Sequence, residues 1–378
     1  MDLELSDDQL ELQSTVRTVL ERECPPSVVR AVVEEGKGVD DLWAKMVELD
    51  WPALTVPEAD GGIGLGFVEL AIVAEEMGRA LSPAPYLATA SQFVPAVVRA
   101  GSPEQRARFL APVVSEGTVG ALAVAEASGS WDPADIDSTA VRRGGGFVLD
   151  GEKHFVFDGA RAQEIVVAAR VRDGGDGDDG LGLFVVSREH VRAEPMDSLD
   201  ASRQYATVVL DEVAVDDDRV LGEPGAAGPV LRRVLDEATA AVAAEMVGTC
   251  QAIFDIVHAY VGQREQFGVK IGSFQAIKHK LANMFVALES ARATAYFAAL
   301  TIAEEDERRD LAVATAKASA GDCQKLLAQE GIQCLGGIGY TWEHDMHMYV
   351  KRVKTTAAMF GSGAAHRARV AEMIGLAP

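Results

Sequence analysis

Three successive blocks of patterning predict an α+β protein: helical periodicity over residues 1–118, short β-branched runs over 119–222, and long helical stretches over 223–378. The first block reads as an all-α N-terminal domain, the second as a small antiparallel barrel or sandwich, the third as a helical bundle. At 378 residues the chain exceeds what a single hydrophobic core sustains, so more than one packed unit is required.

Each element has a local signature. "SDDQLELQSTVRTVLERE" starts with a Ser6-x-x-Gln9 capping box and then places Leu10, Val16 and Leu20 on a helical period. "GFVELAIVAEEMGRAL" (66–81) continues the helical pattern, and "SPEQRARFLAPVVSEG" (102–117) opens with Ser102 as cap and Pro103 at the first helical position. "VPEADGGIGLG" lies between them as a glycine-rich turn. In the middle block "GALAVAEA", "FVLDGEKHFVF", "EIVVAARV", "LGLFVV" and "YATVVLDEVAV" read as strands, and "RDGGDGDDG" (172–180) as a polar hairpin tip. In the last block Phe274, Ile277, Leu281, Met284, Leu288, Ala291 and Ala295 form one stripe at spacings of three and four, a helix buried on one side.

Composition narrows the function classes. A net charge of −23 disfavours nucleic acid and anionic membrane as partners, because both require a basic face. The acidic N-terminus is unlike a signal peptide, and the chain reads as cytoplasmic. Cys24, Cys250, Cys323 and Cys334 are scattered without a CxxC pair, the usage of buried thiols in a reducing compartment. No GxSxG, HExxH or GxxxxGK[ST] motif is present, and neither "GGIGLG" nor "LGGIGY" is a GxGxxG. "WEHDMH" (342–347) spaces His344 and His347 three apart around Asp345 but supplies no third convergent ligand, so no metal site is expected.

One segment departs from the acidic background. Residues 346–371, "MHMYVKRVKTTAAMFGSGAAHRARVA", contain no Asp or Glu, where proportion would give four (58/378 × 26). Lys351, Arg352, Lys354, Arg367 and Arg369 lie there with His347 and His366, and they read as solvated helix faces or an anion site. A second concentration is "QREQFGVKIGSFQAIKHKLANM" (263–284). There Arg264 stands at a helix end, Phe267 and Gly268 break the helix, and Ser273 is expected to cap the next one, which bears Gln275. "QCLGGIGY" (333–340) follows Gln333 with glycines that let backbone approach a ligand or simply make a turn.

The ordered set "PEADGGIG", "AEASGSWD", "DGEKHFVFDGARA", "REQFGVKIGSFQAIKHKLANM" and "QCLGGIGYTWEHDMHMYVKR" resembles the flavin-dependent acyl-CoA dehydrogenase family over essentially the whole chain. The resemblance implies that family's fold: an all-α N-terminal domain, a middle β domain and a C-terminal four-helix bundle. It also implies FAD as cofactor, an acyl-CoA substrate oxidised to its 2,3-enoyl-CoA, and an electron-transfer flavoprotein as electron acceptor. In such enzymes a glutamate removes the α proton while the β hydrogen leaves as hydride to the flavin, and the base must be a desolvated carboxylate within reach.

Three departures from the family pattern shape the expectation. The loop that resembles Y-E-G-T in many members is "MFGSGAAHR" here, with Gly361 and Ser362 at the base position. Some members carry the base on the first long C-terminal helix, where this chain offers Asp236, Glu237 and Glu245. Glu237 falls one residue, about 100° of helix rotation, from the matching position, which makes it an exposed helical acid. Where members present flavin-contacting Thr, Ser and Thr, this chain has Ala125, Trp131 and Phe157, with Phe155 in place of Trp. By contrast Arg264, Phe267, Gln275, Gln333 and Gly337 match positions that hold the ADP half of an FAD seated in a neighbouring subunit. The combination resembles the subunit without the usual Glu in α2β2 acyl-CoA dehydrogenases of the steroid side-chain type, which completes a sister subunit's cofactor site. The alternatives are a homotetramer with Glu237 or Glu245 as base, and a related flavin oxidase or monooxygenase. The acyl group is not legible.

Overall fold

The computed structural model describes residues 4–172 and 180–376; the interior of the glycine- and aspartate-rich run at 172–180 lies outside the described residues. Seven helices lead into the sheet: α1 (Asp7–Glu23), α2 (Pro26–Glu35), α3 (Asp40–Glu48), α4 (Phe67–Arg79), α5 (Tyr86–Ala88), α6 (Val94–Ala100) and α7 (Pro103–Glu116). Eight strands follow: β1 (Gly120–Ala123), β2 (Thr139–Arg143), β3 (Gly146–Phe157), β4 (Glu164–Val171), β5 (Leu181–Ser187), β6 (Arg192–Met196), β7 (Tyr205–Asp216) and β8 (Val220–Gly225). Then come α8 (Gly228–Gln263), the two-residue strands β9 (Glu265–Gln266) and β10 (Val269–Lys270), α9 (Gln275–Ala303), α10 (Arg309–Leu335), α11 (Met346–Thr356) and α12 (Gly363–Met373). They fold into two compact units, one drawn from residues 4–37, 67–83 and 239–376, the other from 38–66 and 84–238.

Local signals set the helix starts. Ser6 and Ser102 both form full capping boxes, with Gln9 and Gln105 reaching back to the cap amides, so two otherwise orphaned donors are satisfied at each end. Val16 and Leu20 face the core of α1, whereas Leu10 is exposed. In α9 the predicted stripe is inward at Met284, Leu288, Ala291 and Ala295, and half-buried at Ile277 and Leu281. Ser273 does not cap that helix: Phe274 occupies the cap position and the Ser273 hydroxyl donates to the Lys270 carbonyl at 2.7 Å, closing a 3-10 turn instead. The four cysteines are buried as free thiols.

The sheet runs β6-β7-β3-β2-β4-β5-β8, with β1 added on β4. It is mixed rather than antiparallel throughout, because β4 pairs in parallel with both β1 and β2. The β2–β3 hairpin supplies the long crossover from β1 to β4, and β3 with its flanking turns supplies that from β2 to β4. β4 and β5 are buried along nearly their whole length, which explains why "EIVVAARV" and "LGLFVV" read as continuous apolar runs. Phe147, Leu149, Ile165, Val167, Phe184 and Val208 form the centre of this core. The sequence patterning missed β2, β6 and β8, each of which alternates too little or carries too many charges to stand out.

α8 is long and apolar enough, by length and composition, to cross a membrane, yet 78% of its most apolar window is buried inside the protein. Its packing against α4 is a backbone contact. A Cβ on Gly248 would lie 1.7 Å from the Glu75 carbonyl oxygen, and one on Gly78 would lie 2.0 Å from that of Glu245. Only glycine fits either crossing point. Gly248→Ala is therefore expected to force the two helices apart and lower stability by about 2 kcal/mol, measured by chemical denaturation.

Candidate functional site

The five residues matched to cofactor contacts all lie in the largely helical unit, at helix ends. Arg264 follows the last residue of α8, exposed, with its carbonyl accepting the Ile271 amide at 2.8 Å. Phe267 (φ 55°) and Gly268 (φ 77°) form the two-residue tip of the β9–β10 hairpin, both left-handed as such tight turns require. This puts the Phe267 ring in the open, 92% exposed. Gln275 is the first residue of α9, and no side chain caps the amides there, which leaves a positive helix end facing outward. Lys280 of α9 is paired with Glu330 of α10, so the start of α9 lies beside the end of α10, where Gln333 sits exposed. A Cβ at Gly336 or Gly337 would meet nothing within 4 Å. The chain's own packing does not require glycine at 337.

This end of the unit fits the ADP portion of FAD: a guanidinium, uncapped helix amides, an exposed aromatic ring and an open glycine backbone.

At the positions of the β unit matched to flavin-ring contacts, Ala125, Trp131 and Phe157, no side-chain hydroxyl is present. Ala125 is buried, its carbonyl taken by the His154 amide at 2.8 Å. Phe157 is buried against Tyr205, ring centroids 5.7 Å apart, with the Arg203 guanidinium 4.7 Å above its ring centre. Phe155 sits in the left-handed region (φ 56°) at an irregularity of the β3–β7 ladder, and its ring reaches toward Gly129. The hydroxyls that remain nearby are turned inward on their own loop: Ser128 Oγ accepts the Ser130 amide at 3.3 Å, and Ser130 Oγ donates to Asp135 at 2.6 Å. Lys153, fully buried, ties the loop down by donating to the Val124 carbonyl (3.1 Å) and Glu126 (2.7 Å). Burial pulls the Lys153 ammonium down to about 8.

At the expected base position the structure holds a locked turn. α11 ends at Thr356, and Phe360 (φ 53°) and Gly361 (φ 98°) bend the chain back toward α12. Lys317 of α10, buried, donates from Nζ to the carbonyls of Thr356 (3.0 Å), Ala357 (3.4 Å) and Gly361 (3.1 Å). His366 Nε2 donates to the Phe360 carbonyl at 2.9 Å. Burial pulls Lys317 down to about 8 and His366 down to about 4. Ser362 is spent as the cap of α12, its Oγ accepting the Ala365 amide at 3.2 Å. A Cβ at Gly361 would stand 3.2 Å from His366 Nε2 on a backbone that disfavours side chains, so a carboxylate does not belong there.

The helix-borne acids are committed elsewhere, and here two expectations are corrected. Glu237 is not exposed: it is buried, accepting from Arg233 Nε at 2.8 Å one helical turn away and paired with Arg99 at 2.5 Å. The i, i+4 spacing of Arg233 and Glu237 was the signal available in the sequence. Nor is Arg352 a solvated helix face. It is fully buried, donating from Nη1 to Glu245 at 3.0 Å and from Nη2 to the Leu81 carbonyl at 3.4 Å. The remaining cations are local: Lys351 lies over the Trp342 ring and Arg367 pairs with Asp322. Of the two "WEHDMH" histidines, His344 accepts the Met346 amide on Nδ1 at 3.1 Å and His347 lies against Trp342. Among the described residues no group of three or more His, Cys, Asp or Glu is placed to hold a metal ion.

Two substitutions separate a structural from a catalytic carboxylate. Glu245→Gln leaves the Arg352 guanidinium uncompensated and is expected to cost about 3 kcal/mol or more of stability, with Glu245→Gln/Arg352→Met recovering part of it in thermal denaturation. A base would instead fold normally and lose turnover. Lys317→Met strips one buried and two part-buried carbonyls of their donor and is expected to cost about 2 kcal/mol, with hydrogen exchange quickening at residues 357–361.

Comparison with known proteins agrees with this geometry. Residues 6–117, 121–213 and 228–375 match the N-terminal, middle and C-terminal domains of acyl-CoA dehydrogenases. The chain is 34% identical over 311 residues to a mitochondrial isovaleryl-CoA dehydrogenase of Oryza sativa subsp. japonica, covering 80% of this chain and 75% of the relative. It is 30% identical over 353 residues to acyl-CoA dehydrogenase IpdE2 of Mycobacterium tuberculosis, covering 93% and 92%. A chain of the ChsE4–ChsE5 complex of Mycobacterium tuberculosis superposes with a TM-score of 0.90 at 25% identity, covering 100% of both. With its three domains, its fold and its relatives in agreement, the chain belongs to the acyl-CoA dehydrogenase family, FAD-using oxidoreductases that act on CH–CH bonds.

Proposed function

We propose that this chain is the subunit of an α2β2 acyl-CoA dehydrogenase that lacks the catalytic base and completes the FAD site of a sister subunit. The observation that carries the reading is the 357–362 turn. The position where many relatives place the base is held by a left-handed glycine and a capping serine, clamped by Lys317 and His366. The reading with a base on α8 loses its support, since Glu237 is buried between two arginines and Glu245 is buried against Arg352. A flavin oxidase or monooxygenase reading has no observation of its own.

When bound, FAD supplies the hydride acceptor for conversion of an acyl-CoA into its 2,3-enoyl-CoA. This chain's part is to hold the cofactor's ADP half: Arg264 against the pyrophosphate, the α9 amides at Gln275 facing its charge, Phe267 against the adenine, and Gln333 and Gly337 bordering it. Its own flavin cradle, with Ala125, Trp131 and Phe157, takes no part. That the matching chain of known structure comes from a complex of two differently named proteins supports the heteromeric assembly. The substrate class is a bulky CoA thioester of steroid side-chain size, and the reduced cofactor is reoxidised by an electron-transfer flavoprotein.

Flavin absorbance and stoichiometry test this. The chain purified alone is expected to be colourless and inactive toward acyl-CoA in a dye assay, and co-purification with a related sister chain is expected to give one FAD per pair of unlike chains. A yellow, self-associated chain that reduces dye with acyl-CoA unaided would overturn the proposal.

A further inference from the structure

The motif Trp342-Glu343-His344-Asp345-Met346-His347 has no part in any role described so far. We propose that Trp342, His347, Lys351 and Arg30 form an acid-sensitive latch that holds the segment from Gly336 to Asp345 closed at neutral pH and releases it in mild acid.

The latch is built from both sides. From α2, Arg30 Nη1 donates to the Trp342 carbonyl at 2.9 Å and Arg30 Nε donates to Asp345 at 2.8 Å, so one guanidinium ties the segment at two points. From α11, Lys351 Nζ lies 4.1 Å from the centre of the Trp342 ring, within reach of its π face. The indole itself is 61% exposed and leans on the His347 imidazole, centroids 4.7 Å apart at 59°. Beneath it both ring nitrogens of His347 are shut off from solvent, and neither has a hydrogen-bond partner among the described residues. A neutral imidazole is tolerated in such a place. An imidazolium would carry two N–H donors with nothing to accept them, beside two cations.

The charges around the ring determine the direction of the response. Burial acts first, and Lys351 and Arg30 add to it, holding His347 below its ordinary range. Asp345 and Glu34 pull the other way but are each paired with Arg30, which blunts them. In the released segment the imidazole is in water and titrates near its ordinary value of about 6.5. The closed form therefore binds fewer protons than the open one, is favoured above that value, and is lost as pH falls through it.

The segment begins at Gly336 and Gly337, so its release would unmake the backbone assigned above to the cofactor. That consequence rests on the proposed function; the latch does not, and its test uses the full chain without cofactor. Tryptophan emission and hydrogen exchange are followed between about pH 8 and pH 5. Protection over 336–345 is expected to fall in acid while that of the middle of α10 holds, and Trp342→Phe is expected to abolish the accompanying change in emission. His347→Gln is expected to flatten both profiles. Unchanged protection of 336–345 across the range or an unaltered profile in His347→Gln would each overturn the latch.

Discussion

The helical unit depends on one ion pair placed where water does not reach. Arg352 and Glu245 are both essentially fully buried, and they join α11 to α8 across 107 residues of chain. Two ions removed from water are costly apart and tolerable only together, so the pair fixes the register of α11 against α8 more strictly than apolar contacts would. The 357–362 turn follows directly on the end of α11, and its carbonyls meet Lys317 there. The absence of acids from 346–371 acquires a physical meaning here. A carboxylate on this stretch would compete with Glu245 for the buried guanidinium or with carbonyls for the buried ammonium.

A division of labour runs through the site. Groups that would serve a cofactor lie at exposed helix ends, on a hairpin tip and on open glycines, none of them required by this chain's own packing. Groups that would serve catalysis are instead absorbed into the interior: Glu237 between arginines, Ser362 as a cap, Phe157 under Arg203. Surface retained and chemistry internalised are opposite fates on one chain.

What could be read from residues alone followed the range of the interaction. Ser6 and Ser102 were legible as caps because a capping box closes within four residues. The α9 stripe was legible because burial on one face imposes a period. The Ser273 cap failed because a competing acceptor, the Lys270 carbonyl, lay equally near in sequence. The parallel pairing of β1 with β4, the burial of Arg352 and the second partner of Glu237, Arg99, were illegible, since each depends on residues tens of positions away whose approach no local pattern encodes. The departure of the 357–362 loop was legible only by comparison with a family pattern; the left-handed turn that occupies it was not.

That turn also bears on how such a chain could change. At Gly361 the backbone sits at φ 98° with the imidazole of His366 close by, and the preceding Phe360 is left-handed too. Restoring an acid at this point by a single substitution would meet backbone strain and a steric conflict at once, before any benefit of a regained carboxylate. The turn thus acts as a ratchet: a carboxylate at this point is more than one substitution away.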